Sequence, residues 1–225
     1  CTDRNLMVIN QKKTQLMCIN FRKSLQFPPI FSIGDCKQLD ILKQTKLVGI
    51  IVSDNLRWSV HVEYMCLKAS KKIWQLRRLK ILNLGHDILL DFYCKEIRSI
   101  LEFGVTVWNS GITGKLSDQI ERIQKICVNI ILCDTLWDIP YDVGCTLLEI
   151  EPLKYRRTDL CIKFIQKASC DPRHADLFSP YPTHLNTRQE KPLYREFSCR
   201  TGRFFDSPLC YLTRLLNFNP VKKQN

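Results

Sequence analysis

Short apolar runs separated by polar or turn-forming residues occupy the first 53 residues. The runs at 6–10 and 14–21 flank the polar segment QKK, and this arrangement predicts a β-hairpin. Two further runs, at 28–33 and 46–53, predict short strands, and the second is nearly continuous in apolar residues, as in a buried strand. The amino end of the chain is therefore expected to be β-structure.

Helical spacing begins at Trp58, after which apolar residues recur at steps of three and four. The pattern predicts a first helix that begins at Trp58 and whose stripe runs to Leu79, and further helices at residues 87–108, 115–132, 143–149, 153–168 and 207–217. The apolar stripe of the first helix consists of Val62, Met65, Cys66, Ala69, Ile73, Leu76 and Leu79. The second helix is apolar nearly all round in its second half, which predicts a central position. Four prolines between 170 and 200 predict an irregular segment.

These elements predict an α+β protein that is mainly α. Short antiparallel strands at the amino end precede a helical bundle and an irregular carboxy-terminal extension. We expect three segments: strands in residues 1–57, a helical bundle in 58–132, and a helical extension with a proline-rich loop in 133–225.

The composition of the chain shows a large excess of positive charge. The 225-residue chain is 45% hydrophobic, enough for one or two packed domains, and it carries a formal net charge of +12. An excess of this size favours polyanionic partners, chiefly nucleic acid or an anionic membrane surface. No apolar run is long enough to predict a membrane-spanning helix.

Cysteine and histidine spacing argues against a metal site or a disulfide framework. None of the twelve cysteines forms a C-x-x-C pair, and the four histidines form no H-x₃₋₅-H pair. Free thiols in a reducing, intracellular compartment are the simpler interpretation. Because phosphate-binding glycine loops and catalytic motifs are also missing from the sequence, we expect neither an active site nor a bound cofactor.

The segment KKIWQLRRLK, residues 71–80, has five cations among ten residues and admits three interpretations. It is a nucleic-acid-binding surface, a membrane or calmodulin-type amphipathic helix, or the solvated side of a structural helix. Single basic clusters are more often solvated surface, but the total charge favours a polyanion. The candidate nucleic-acid contacts are Lys12, Lys13, Lys68, Lys71, Lys72, Arg77, Arg78 and Lys80.

Two segments, NQKKTQLMCINF and LVGIIVSDNLRWSVHVEYMCLKASKKIWQLRRLK, carry a resemblance to a known family. The chain resembles the carboxy-terminal part of the reverse transcriptase of non-LTR retrotransposons, the LINE elements of jockey and CR1 type. The similarity continues through LEIEPLKYRRTDLCIKFIQKA to RFFDSPLCYLTRLLN. Positions that match the family's motifs are Asn10, Lys12, Lys13, Thr14, Gly49, Asp54, Trp58, His61, Trp108, Arg156, Arg157 and Arg203.

The resemblance implies the end of a polymerase palm in residues 1–57, a thumb in 58–132 and a post-thumb extension in 133–225. In that family a Y-x-D-D box upstream of the palm end binds divalent magnesium, and this chain contains no Asp-Asp pair. Because the chain begins with Cys1 and not Met, we expect a processed product or a fragment of a longer reading frame. Since the Y-x-D-D box is missing from it, we expect this fragment to be non-catalytic by itself. Its implied partners are RNA or an RNA–DNA hybrid and the upstream palm and fingers.

Two alternatives remain open from the sequence. The chain is a degenerate retroelement remnant without activity, or residues 66–82 form a basic amphipathic interaction helix. The second alternative requires the apolar stripe with Ile73 and Leu76 to be exposed.

Overall fold

The computed structural model describes residues 10, 14–21, 32–33, 37–38, 41–132, 139–178, 180–181 and 192–220. The described chain is mainly helical, with short antiparallel strands at the amino end, and this confirms the predicted α+β, mainly α class. The chain divides into two compact units, Cys1–His61 and Val62–Asn225.

The described residues of the first unit form two small antiparallel pairs. Strand β1 (Ser32–Ile33) pairs with β2 (Lys37–Gln38), and β3 (Gln44–Leu47) pairs with β4 (Ile50–Ser53). The prediction of one strand over 46–53 is wrong, because the chain reverses at Val48 and Gly49, whose φ angles are 47° and 89°. Two successive residues with positive φ match the twist of a tight hairpin, and glycine adopts this conformation without steric cost.

The hairpin predicted for residues 6–10 and 14–21 lies largely outside the described residues. In the described part, Leu16 forms an isolated parallel bridge with Ile41, and the Leu42 N–H donates to the Leu16 carbonyl at 2.8 Å. Thr14 donates from both its N–H and its hydroxyl to the Asn10 carbonyl, at 3.1 and 2.9 Å.

The helices agree closely with the apolar spacing. The α-helices are α1 (Ser59–Ile81), α2 (His86–Phe92), α3 (Ser99–Glu102), α4 (Val105–Trp108), α5 (Gly114–Leu132), α6 (Tyr141–Leu147), α7 (Leu153–Ser169), α8 (Gly202–Phe205) and α9 (Pro208–Phe218). A π-helix (Tyr93–Arg98) joins α2 to α3, and 3₁₀ segments occur at Asn109–Gly111 and Pro172–Leu177. The predicted helices that became α5, α7 and α9 are confirmed to within one residue at each end, and α1 begins one residue after its predicted start.

The single helix predicted for residues 87–108 is interrupted. Phe103 is extended, and Gly104 takes the left-handed conformation with φ 62°, so that α3 ends and α4 begins at a new angle. Only glycine adopts this backbone conformation at low cost, which explains the break within an otherwise helical pattern. The predicted central position holds for one side of this segment only: Leu101, Val105 and Trp108 are buried, whereas Phe103 and Val107 are 49% and 38% exposed.

The second unit is built around the inward faces of these helices. The buried core draws on α1, on the segment from α2 to α4, and on α5, with Leu76, Tyr93 and Cys127 fully buried. A further buried cluster joins α7 to α9 through Cys161, Ile165, Ala168, Phe178, Leu212 and Leu216. This packing fixes the rotation of α1 and therefore decides which of its cations face solvent.

His61 predicts a pH dependence of stability in the first unit. Its side chain is 1% exposed, and its Nδ1 accepts a hydrogen bond from the Ile51 N–H at 3.3 Å. Burial lowers the pKa of His61 below its ordinary value of 6.5. The unfolded chain therefore binds the proton more readily than the folded one, and stability falls as pH drops below about 6.5.

The check is chemical unfolding at pH 7.5 and pH 5.5 for the natural chain and for His61→Gln. The natural chain should lose more unfolding free energy on acidification than the variant does, and His86→Gln controls for the removal of a histidine as such. An equal acid-induced loss in the natural chain and in His61→Gln would contradict the assignment.

Candidate nucleic-acid interface

Helix α1 concentrates positive charge in the second unit. It carries a single carboxylate, Glu63, and six cations. The cations are Lys68, Lys71, Lys72, Arg77, Arg78 and Lys80. They begin one turn after Glu63 and continue to the end of the helix, where positive charge is favoured by the helix dipole.

Four of the six cations project into solvent: Lys68, Lys71, Arg77 and Arg78. Within the residues that the structure describes, Lys68, Lys71 and Arg77 form no ion pair. Lys68 and Arg78 are ten residues apart, which corresponds to about 15 Å along an α-helix. Lys68, Lys71 and Arg78 thus form an extended cationic face that is compatible with an external ligand. Arg77 is also exposed, but it lies about 100° or more round the helix from these three and lines a pocket with Ile126 and Ile130 of α5.

The other two cations are held by the protein itself. Lys72 forms an ion pair with Glu96 at 2.7 Å. Lys80 donates from Nζ to the Ile131 carbonyl at 3.0 Å, in the last turn of α5, where unpaired helix carbonyls attract a cation. These contacts attach α1 to the neighbouring segments, so the structure brings Lys72 and Lys80 to the same helix but not to the open cationic face.

An exposed apolar row crosses the cationic face and was not predicted. Leu67 is 66% exposed, Trp74 is 63% exposed and Ile81 is 73% exposed. The three residues are seven apart, and this spacing places them on one side of a helix. The Cζ atom of Arg78 lies 5.7 Å from the centroid of the Trp74 ring, within cation–π range. The spacing 67, 74, 81 was the sequence signal that could have revealed this row.

The motif positions in the first unit have mainly structural surroundings. Lys12 and Lys13 lie outside the described residues, while Gly49 forms the β3–β4 turn. The Asp54 N–H donates to the Lys43 carbonyl at 2.8 Å, just after β4. Trp58 is buried, and its ring meets the His61 ring edge-on at a centroid distance of 6.3 Å.

Two motif arginines in α7 are engaged inside the second unit. Arg156 pairs with Glu102 through Nε and Nη2, and the Nη2–Oε2 distance is 3.3 Å. Arg157 is 1% exposed and donates from Nε to Asn109 at 3.1 Å and from Nη2 to Ser117 at 2.6 Å. Burial lowers the pKa of Arg157. Neither guanidinium therefore belongs to an open phosphate-binding surface.

The remaining motif positions are Trp108 and Arg203. The Trp108 indole donates to the Phe103 carbonyl at 2.8 Å, and its ring centroid lies 6.0 Å from Cζ of Arg157. This contact places the Trp108 ring beside the buried guanidinium of Arg157. Arg203 is exposed on the short helix α8, away in sequence from the α1 face.

Five of the nine described cysteines are buried: Cys66, Cys127, Cys145, Cys161 and Cys210. All nine cysteines in the described ranges are free. Burial raises the pKa of Cys66 to about 11, of Cys127 to about 12 and of Cys161 to about 11, which keeps these thiols protonated and unreactive. Among the described residues, no group of three or more His, Cys, Asp or Glu side chains is arranged to hold a metal ion.

Comparison with known proteins identifies no relative of this chain. None of the helices in the described ranges combines the length and the apolar character needed to cross a membrane. No protein-family model, curated protein or solved structure matches this chain.

Proposed function

We propose that this chain is a non-catalytic, carboxy-terminal part of an RNA-directed DNA polymerase from a mobile element. In this proposal α1 binds the sugar-phosphate backbone of RNA or of an RNA–DNA hybrid and reads no base sequence. The upstream palm and fingers supply the Y-x-D-D carboxylates, and divalent magnesium belongs to the complete polymerase. The family assignment is supported by the ordered series of motifs from Asn10 to Arg203.

The observation that supports backbone binding is the unneutralised charge of α1. Helix α7 offers an instructive contrast, because it also carries five cations and one carboxylate. In α7, however, Arg156 pairs with Glu102, Arg157 is buried and Lys163 pairs with Asp159 at 2.6 Å. Exposed cations without carboxylate partners attract phosphates, and their long side chains reach a backbone without matching any base edge.

The apolar stripe on which the amphipathic-helix alternative depends is buried. It requires the stripe of Ile73 and Leu76 to be available to a membrane or to a calmodulin-type partner. These residues are 5% and 0% exposed, because the stripe packs into the second unit. The degenerate-remnant alternative is addressed by the reading frame upstream: an intact frame with a Y-x-D-D box argues against it, and stop codons support it.

The proposal predicts a salt-dependent affinity that belongs to α1. We expect the triple variant Lys68→Ala, Lys71→Ala, Arg78→Ala to bind an RNA–DNA hybrid at least ~10-fold more weakly at low salt, since three phosphate contacts are lost. The slope of log K against log salt should become shallower by about 3, one for each contact. Fluorescence anisotropy of a labelled hybrid over a series of salt concentrations measures both quantities.

A triple variant of equal net charge provides the control. Lys115→Ala, Lys125→Ala, Lys154→Ala removes three exposed cations from α5 and α7 and should keep most of the affinity and of the salt slope. Equal losses in the two triple variants would mean that net charge alone drives binding. Absent or salt-insensitive binding by the natural chain would refute backbone recognition.

A further inference from the structure

Trp74 is the aromatic member of the exposed apolar row on α1. Tryptophan is a large apolar side chain that is highly buried on average, yet Trp74 is 63% exposed in the middle of α1. By contrast, Trp58 is 6% and Trp108 0% exposed. Because most of the Trp74 side chain lies outside the core, the indole is available to a partner.

Cations flank the Trp74 ring on both sides along the helix. Lys71 lies three residues before it and Arg78 four residues after it, and both spacings bring side chains together on a helix surface. The Arg78 guanidinium already sits 5.7 Å from the ring centroid. A planar aromatic surface between two phosphate-binding groups is the arrangement with which proteins hold single-stranded nucleic acid.

A duplex does not cover this ring. In a double helix the faces of the bases are hidden in the stack, and the outer surface consists of sugars and phosphates. The cations of α1 contact such a surface, but the indole meets no flat apolar group there. An unpaired base has a free π-face, and stacking on an aromatic side chain is sequence-tolerant because every base has one.

We propose that Trp74 is a stacking platform for an unpaired base of single-stranded RNA or DNA, with the neighbouring phosphates held by Lys71 and Arg78. The inference rests on the proposed backbone binding by α1 and adds the class of ligand, a single strand adjoining or replacing the hybrid. In this proposal the cations bind the phosphates of both the hybrid and the single strand, whereas Trp74 stacks only on a base of the single strand.

The charges around the apolar row favour this partner over another protein. Lysine is depleted in the centres of protein–protein interfaces, whereas Lys71 lies one turn before Trp74 on the same surface of α1. Arg78 follows one turn after Trp74. A polyanion with a flat apolar component complements both these cations and the indole, and single-stranded nucleic acid has both properties.

The test compares two ligands and two substitutions in the full chain. The ligands are a 12-nucleotide oligouridylate and a 12-base-pair RNA–DNA hybrid, and the variants are Trp74→Ala and Trp74→Phe. Loss of one base–aromatic stack should weaken binding of the single strand by roughly 10-fold or more in Trp74→Ala. Affinity for the hybrid should change less than 2-fold, and Trp74→Phe should recover most of the single-strand affinity.

A matched control and a spectroscopic readout complete the test. Tyr155→Ala removes another exposed aromatic side chain, 67% exposed on α7, and should leave both affinities unchanged. The single strand should also quench tryptophan fluorescence in the natural chain, and this quenching should be lost in Trp74→Phe. Quenching that persists without Trp74 would overturn the inference.

The outcomes separate this inference from the proposed function. If Trp74→Ala leaves single-strand binding intact while the cation triple variant abolishes it, stacking is refuted and backbone binding stands. If the natural chain binds neither ligand, both proposals fall together. If Trp74→Ala instead abolishes self-association or binding to phosphatidylglycerol vesicles and spares the oligouridylate, the row covers a protein or lipid partner and the inference is overturned.

Discussion

Replacing Arg157 with alanine is expected to lower the free energy of unfolding by about 3–5 kcal/mol. The guanidinium is 1% exposed, enclosed by Trp108 and hydrogen-bonded to Asn109 and Ser117. Truncation leaves a cavity of nearly a whole side chain, and it removes the donors from two polar groups in the interior. Urea unfolding followed by circular dichroism measures the loss.

A methionine at the same position separates packing from hydrogen bonding. Nη1 of Arg157 has no hydrogen-bond partner among the described residues, and burial penalises the charge, so the natural guanidinium is only partly compensated. Arg157→Met fills most of the volume and removes the buried charge; we expect it to cost only about 1–2 kcal/mol. Arg122→Ala, on the exposed side of α5, should be nearly neutral.

The unfolding free energies of Arg157→Ala and Arg157→Met together distinguish the contribution of packing from that of hydrogen bonding. If Arg157→Met lowers the free energy of unfolding as much as Arg157→Ala does, the hydrogen bonds to Asn109 and Ser117 contribute more than packing. If Ala costs less than about 1 kcal/mol, the side chain is not enclosed as described. For function, the consequence is direct: activity lost in an Arg157 variant has to be corrected for unfolding before it is attributed to phosphate binding.

Local spacing predicted most of the helical fold because each of these helices keeps one clean apolar stripe. Helices α1 and α5 follow the three- and four-residue steps of their buried positions almost without exception. The run at 46–53 was misassigned because apolar residues continue through the turn. There, Gly49 was the only cue, and the conformation of Val48 depends on the pairing of β3 with β4.

The sequence predicted which cations lie on α1, but not which of them are open to a ligand and which are held by other residues of the protein. Lys72 is paired with Glu96, 24 residues away, and Lys80 donates a hydrogen bond to a carbonyl 51 residues away. Contacts at such separations depend on how helices pack and leave no periodic signal in the sequence. By contrast, the exposure of Trp74 left a signal in the sequence, because Trp74 lies outside the apolar stripe of α1 and shares a seven-residue spacing with Leu67 and Ile81.

Glu121 joins three helices and is the second site where a large effect is expected. From α5, its carboxylate accepts a hydrogen bond from the Tyr141 hydroxyl at 2.6 Å, at the start of α6. It also accepts from the backbone N–H groups of Leu153, at 3.2 Å, and of Lys154. Helix α7 begins after Pro152, which offers no side-chain cap, so Glu121 provides the cap from another helix.

Glu121→Ala should therefore lower the free energy of unfolding by about 2–4 kcal/mol, because a charged acceptor of three hydrogen bonds is lost at once. Glu121→Gln keeps the shape and one carbonyl acceptor and should cost roughly half as much. The exposed Asp118→Ala, one turn earlier in α5, controls for the loss of a carboxylate.

Native-state hydrogen exchange locates the effect within the chain. Loss of the cap should accelerate exchange at the Leu153 and Lys154 amides relative to amides in the middle of α7, since their hydrogen bonds depend on Glu121. A double-mutant cycle with Tyr141→Phe then measures the contribution of the 2.6 Å contact, which we expect to be about 1.5–3 kcal/mol for a hydrogen bond to a charged group. Unchanged exchange at both amides in Glu121→Ala would show that α7 is capped by solvent and that the three helices are joined by apolar packing alone.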